Sequence, residues 1–134
     1  MEAGFSLIEM TVAIALLGLV GTAVVLGTRP SDTVQLRRTA GGLALFIEET
    51  RLDAARRGHG IAIRYSPQAH AFHAGPRSFA LPEAVTIDAE KSDAMAVDMR
   101  PSGESTGAFF RLRRGEATAA VRLDWLTGAV RLTE

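Results

Sequence analysis

Gly4-Phe5-Ser6-Leu7-Ile8-Glu9-Met10 opens an apolar run that continues to Gly27, and from Phe5 to Gly27 the one ionisable side chain is Glu9. These 23 residues, at about 1.5 Å each, make a helix of about 34 Å, enough to cross a hydrocarbon layer about 30 Å thick. A carboxylate in that layer costs about 2.5–3.5 kcal/mol at mid-depth and less toward the interface. It calls for a cationic partner, and the run holds no Lys or Arg. The remaining local cation is a chain terminus. The pattern therefore points to an α-amine made by cleavage just before Phe5, on a neighbouring copy or a related subunit.

The segment resembles the processing site of type IV pilins and of the pseudopilins of type II secretion. The shared features are a small residue, then Phe, then four residues ending in Glu, then a long apolar helix. The resemblance implies that a prepilin peptidase cuts after Gly4 and methylates the new N-terminal Phe5. It also implies that Glu9 pairs with a neighbour's amine during assembly. The plainer alternative is a signal anchor with a chance Glu.

The chain has 134 residues, which allows one small domain beyond the apolar segment, with a modest core. Fifteen basic and fifteen acidic residues give a formal net charge of zero, so the whole molecule is no obvious polyanion binder. There is no Cys, so no disulfide supports the fold and redox chemistry does not report the compartment. The basic residues are fourteen Arg and one Lys, Lys91, which with the Ala richness reads as a composition bias. The apolar run lacks the basic n-region, short h-region and Ala-x-Ala site of a secretory signal peptide. Arg29, Arg37 and Arg38 follow it and none precedes it, so the positive-inside rule alone argues against a cytoplasmic N-terminus. The resemblance implies the opposite: a single-pass bacterial inner-membrane protein, N-terminus inside, C-terminal domain periplasmic.

Within the run, Ala13, Ala15, Gly18 and Gly21 offer small surfaces for close helix approach, although Gly is also simply common in membrane helices. Pro30 breaks or kinks the helix, and Ser31 or Asp32 can cap a new one. From Thr33 to about Arg57 the apolar spacing is helical: Leu36, Leu43, Phe46, Ile47, Thr50 and Ala54, with Leu45 and Leu52 widening the stripe. Glu48–Arg51 and Asp53–Arg57 are favourable helical pairs. Gly41-Gly42 weakens the middle, and Gly58 suits the C′ position. Beyond it the period changes to two. Strands are expected at Ile61–Tyr65, Ala69–Ala74, Val85–Ala89, Met95–Met99, Phe109–Arg114, Val121–Trp125 and Val130–Leu132, with turns at Ser66-Pro67-Gln68, Pro101-Ser102-Gly103 and Leu126-Thr127-Gly128, and Gly75-Pro76-Arg77 breaking the second strand.

The resulting class is α+β: an amphipathic helix on antiparallel sheet, with two sheets plausible. Leu52 to Gly58, Met99 to Gly107, the Arg-rich strand from Phe110 to Arg114 and Trp125 to Arg131 resemble the GspH/FimT family, the pseudopilin H branch foremost. The family implies a pilin-like fold, a long N-terminal helix whose first half spans the membrane, packed on the sheet domain. The expected organisation is a leader at 1–4, a transmembrane and assembly helix at 5–28, an amphipathic continuation at 29–57 and a β-rich periplasmic domain at 58–134. The implied role is that of a minor subunit of the type II secretion pseudopilus, partnered by other pseudopilins, the prepilin peptidase and the inner membrane. The alternative is a FimT/FimU-like minor pilin in pilus assembly or DNA uptake.

Residues for catalysis are not found. His70 and His73 are three apart on an expected strand, so they face opposite ways; exposed hairpin histidines are expected, no metal and no cofactor. No glycine-rich loop joins a strand to a helix, and no nucleophile motif is present. Arg111 and Arg113 share a strand face, and Arg122 and Arg131 lie on neighbouring strands, so the four form a candidate basic patch. Glu104, Glu116, Asp124 and Glu134 in the same region are expected to balance it, which disfavours nucleic acid. Trp125, the single Trp, is expected to anchor the core; contact with an adjacent pseudopilin is the alternative.

Overall fold

The computed structural model describes residues 4, 6–27, 30–88 and 96–133. Phe5, Arg29, Lys91 and Glu134 therefore lie outside the described residues, as do the ends of two expected strands at Ala89 and Met95. Two compact units are present, 1–31 and 32–134.

The first unit is helix α1, Leu7–Gly27. Ser6 starts it as an N-cap: its Oγ accepts the Ile8 amide at 3.2 Å and its carbonyl accepts the Met10 amide at 3.1 Å. Apolar side chains point in all directions, as lipid requires. The hydroxyls of Thr11 and Thr22 donate back to the carbonyls of Leu7 and Gly18, each at 2.8 Å, so neither needs water. From Leu7 to Val25 the helix is long and apolar enough to cross a membrane.

The second unit begins with helix α2, Asp32–Arg57. Pro30 and Ser31 belong to neither helix. Asp32 sits in the first turn and Arg56 and Arg57 in the last, matching the helix dipole. Gly58 ends the helix with φ +69° and donates to the Ala54 carbonyl at 3.0 Å. The buried stripe is Leu36, Thr39, Ala40, Leu43, Phe46, Ile47, Thr50 and Ala54. Leu45 and Leu52 do not widen it: they are 60% and 42% exposed, because their positions rotate them past the edge of the sheets.

Eight strands follow: β1 Ile61–Ser66, β2 Ala71–Ala74, β3 Arg77–Ala80, β4 Thr86–Ile87, β5 Ala96–Met99, β6 Ala108–Arg114, β7 Ala117–Leu123 and β8 Val130–Thr133. They form two four-stranded sheets, β3-β2-β1-β5 and β4-β6-β7-β8, with every named pairing antiparallel. Strand β3 was not expected. Gly75-Pro76 is a two-residue hairpin turn with Gly75 at φ +60°, so the chain turns there and continues as strand. Phe79 of β3 lies against α2 at Gly42, where a Cβ would sit 2.9 Å from its ring. Gly42 thus makes room for an aromatic ring, which offsets its poor helix propensity.

Helix α2 packs on both sheets, and one hydrophobic cluster runs through all three layers. Phe72 of β2 and Phe110 of β6 meet edge to face, centroids 5.1 Å apart, joining the sheets. At the other side the segment after β5 doubles back. Thr106 donates to the Asp98 carbonyl at 3.2 Å, Ser105 bridges to Met99, and the Ser105 amide donates to the Trp125 carbonyl at 2.9 Å. Residues 104–106 thereby tie β5 of one sheet to the end of β7 of the other.

Candidate functional site

Chemistry-bearing groups collect in two places, one in each unit. In the first, Glu9 stands three residues after the Ser6 cap, on the first turn of α1. The spacing Ser6-x-x-Glu9 is that of a capping box, in which the carboxylate would bond the cap residue's amide. Among the described residues Glu9 has no hydrogen-bond or ion-pair partner, so the box is not closed. Its charge stands exposed near the positive end of the helix dipole. Gly4 is exposed and Phe5 lies outside the described residues.

The second collection is on the sheet of β4, β6, β7 and β8. Alternation along β6 buries Ala108, Phe110 and Leu112 and turns Phe109, Arg111 and Arg113 to the other face. Register then adds residues from the neighbours. Phe109 stands opposite Arg122 of β7, and Arg122 opposite Arg131 of β8. All four arginines of the expected patch therefore share one face. The guanidinium carbons of Arg111 and Arg122 lie 5.7 and 5.5 Å from the Phe109 ring centroid. Arg122 and Arg131 are like charges directly opposite one another, a pairing that destabilises a sheet. Arg114 points to the inner face, where its Nε donates to Asp32 at 2.9 Å.

Of the four acids expected to balance the patch, Glu134 lies outside the described residues, and two others are engaged in part elsewhere. Glu104 lies 3.4 Å from Arg100. Asp124 is consumed by its own turn: one carboxylate oxygen accepts the amides of Leu126 and Thr127 at 3.0 and 2.8 Å and the Thr127 hydroxyl at 3.0 Å. These bonds, first those from Thr127, hold the Asp124 carboxyl below the ordinary range, with Arg131 adding a smaller attraction. Among the described residues Arg113, Arg122 and Arg131 form no ion pair. Asp98 and Asp88 are the nearby exceptions: Asp98 lies across a groove from Arg122, and the Asp88 amide donates to the Arg111 carbonyl at 2.9 Å.

Trp125 overturns its expectation. It follows β7, outside any strand, and is 63% exposed, with Leu126 beside it at 55%. Position 125 falls where β7 has ended at Leu123 and alternation no longer applies. Its side chain borders a groove of about 480 Å³ lined also by Asp98, Thr106, Phe109 and Arg122. The signal was present in the sequence: Asp124-x-x-Thr127-Gly128 is a turn in which Asp bonds its own backbone, and that turn fixes the two residues outward.

His70 is not an exposed strand residue either. It occupies the β1–β2 turn with φ +50°. Its Nδ1 meets the Tyr65 hydroxyl at 3.0 Å and its Nε2 donates to the Val85 carbonyl at 2.8 Å. It is a half-buried clip between turn and following loop, while His73 is exposed on β2. Burial pushes the Tyr65 phenol up. Among the described residues no cluster of three His, Asp or Glu could hold a metal.

No family model matches the chain, and no curated protein matches it by sequence. A solved structure does: the crystal structure of the Pseudomonas aeruginosa type IV minor pilin FimU superposes with a TM-score of 0.62 at 13% identity, over 75% of this chain and 89% of that one. At that identity the likeness establishes the fold, which is pilin-like: a helix packed on antiparallel sheet.

Proposed function

We propose that the chain is a minor subunit of the type II secretion pseudopilus, inserted in the inner membrane with its N-terminus cytoplasmic and processed after Gly4. The observation that carries this is the pairing of Gly4-Phe5-Ser6-Leu7-Ile8-Glu9 on a lone apolar helix with a pilin-like fold behind it. Its work is assembly, not catalysis. Cleavage frees the Phe5 amine, which is methylated and stays cationic. Glu9, without a side-chain partner among the described residues, neutralises the amine of an adjacent subunit and sets helix register as α1 leaves the bilayer. An ion pair formed in lipid removes most of the cost of the carboxylate.

Glu9→Ala should abolish incorporation and secretion while membrane insertion persists; full complementation by that variant sinks the pairing. Mass spectrometry of the protein from a host with active peptidase should find a chain beginning at N-methyl-Phe5. An intact Met1 there sinks the processing.

A second reading is a minor pilin of a type IV pilus, acting in pilus assembly or DNA uptake. The likeness of the fold to a type IV minor pilin favours it. Secretin and secretion-ATPase genes beside this one support the first reading, and pilus genes the second.

A further inference from the structure

The Trp125–Leu126 turn spends many hydrogen bonds on holding two large apolar side chains in water. Besides the three bonds to Asp124, the Gly128 amide donates to the Asp124 carbonyl at 3.0 Å and the Ala129 amide to the Thr127 hydroxyl at 3.2 Å. The Ser105 hydroxyl donates to the Asp124 carbonyl at 3.3 Å. Gly128 lies at φ +67°, packed so closely on the Gly103 carbonyl that no side chain fits. A loop braced this way presents its apolar pair without the ordering cost that binding usually imposes on flexible side chains.

Trp125 also borders the groove whose lining includes Phe109 and Arg122. Next to it stands Arg131, opposite Arg122. The groove's lining carries charges of both signs, Arg122 and Asp98. Rigid Trp with Arg at its rim is the composition of a protein-binding hot spot.

From this placement we infer that the Trp125–Leu126 turn and the adjoining Phe109/Arg122/Arg131 face form a docking surface for an acidic segment of another protein that carries an apolar side chain. Charge complementarity selects the acidic partner: a carboxylate between Arg122 and Arg131 relieves their mutual repulsion. The apolar residue fills the groove against Trp125. A nucleic acid fits less well. Phe109 is already covered by two guanidiniums, so no base stacks there, and Leu126 has no counterpart in a phosphate backbone. The inference concerns this face alone and stands or falls apart from the Glu9 pairing.

The test uses the full chain in zwitterionic detergent micelles and the fluorescein-labelled peptide EEFELEE. Binding is read by anisotropy and, with unlabelled peptide, by the emission of Trp125, the single Trp. Saturable binding is expected, with Trp125 emission moving to shorter wavelength at the same midpoint. Trp125→Ala and the pair Arg122→Gln with Arg131→Gln should each weaken it about tenfold or more. Both changes fall on exposed positions, and an unchanged circular dichroism spectrum confirms the fold. The inference is overturned by no binding at about 1 mM peptide. It is equally overturned if hepta-glutamate binds as tightly, since charge alone then suffices. A single-stranded DNA of about 20 nucleotides that binds more tightly, with steep salt dependence, makes the face a nucleic-acid surface instead.

Discussion

Helices α1 and α2 are of similar length, 21 and 26 residues, and are built on opposite plans. α1 is apolar on every side and carries one charge. Its sequence specifies a solvent, and rotating it about its axis changes little. α2 is apolar along one stripe and charged elsewhere. Its sequence specifies a partner, and rotating it by one residue would put Arg37 at the buried position of Leu36 and Phe46 at the exposed position of Leu45. The lesson is that a leucine in α1 contributes to an average, whereas a leucine in α2 has a value set by position.

The sharpest way to break that contrast is to shorten one leucine in each. Leu43→Ala, at a fully buried site, should lower the stability of the second unit by about 2–5 kcal/mol. Leu16→Ala in α1 should leave that stability unchanged. Near-ultraviolet circular dichroism during thermal unfolding in micelles measures both, and equal shifts would erase the distinction.

Gly128→Ala comes next. A Cβ there overlaps the Gly103 carbonyl and sits 2.8 Å from Cδ of Arg51 on α2, at a backbone φ of +67°. A loss of about 1–3 kcal/mol is expected, with the Trp125 turn displaced. An unchanged melting temperature would mean that α2 and the two loops are not locked together.

Acid should loosen the same turn more gently. The Asp124 carboxyl is held below its ordinary value of 3.8 in the folded chain. Its contribution is therefore present above that value and lost as pH falls through the lower folded one. Amide resonances of Leu126 and Thr127 should shift in that window and not between pH 5 and 8. The smallest effect is expected at Leu45→Ala, two residues from Leu43 but on the exposed side of α2: a change within about 0.5 kcal/mol.

Much of this architecture was legible because it is local. The α2 stripe, the Gly58 stop, strand β1 and the turn at Gly128 follow from period and turn chemistry. What was not legible depends on pairing between distant segments. Four-residue β3 has no period of its own, and Phe79 becomes meaningful only against Gly42. The four arginines could be counted along the chain, but their gathering on one face is a matter of register between β6, β7 and β8. Two of the acids counted against them, Asp124 and Glu104, bond within their own turn and near Arg100. Trp125 was misplaced because alternation was continued past the end of β7. Around α1, by contrast, the proposed roles of Gly4, Phe5 and Glu9 rest on a single stretch of sequence, because they depend on distance from one end of a helix.

Within the second unit, helix α2 is synthesised first and completed last. Its opening residue, Asp32, is bonded by Arg114, 82 positions later, and Arg51 near its end lies against Gly128. A chain emerging from its N-terminus makes the stripe of Leu36, Leu43, Phe46 and Ile47 long before β6, β7 and β8 exist to cover it. The β6–β7 hairpin can form on its own timescale, but closing the core waits for almost the whole chain and for contacts of high sequence separation. During that interval the helix exposes a face that invites association, and a holding factor bound to it would act on the folding rate without touching the finished structure.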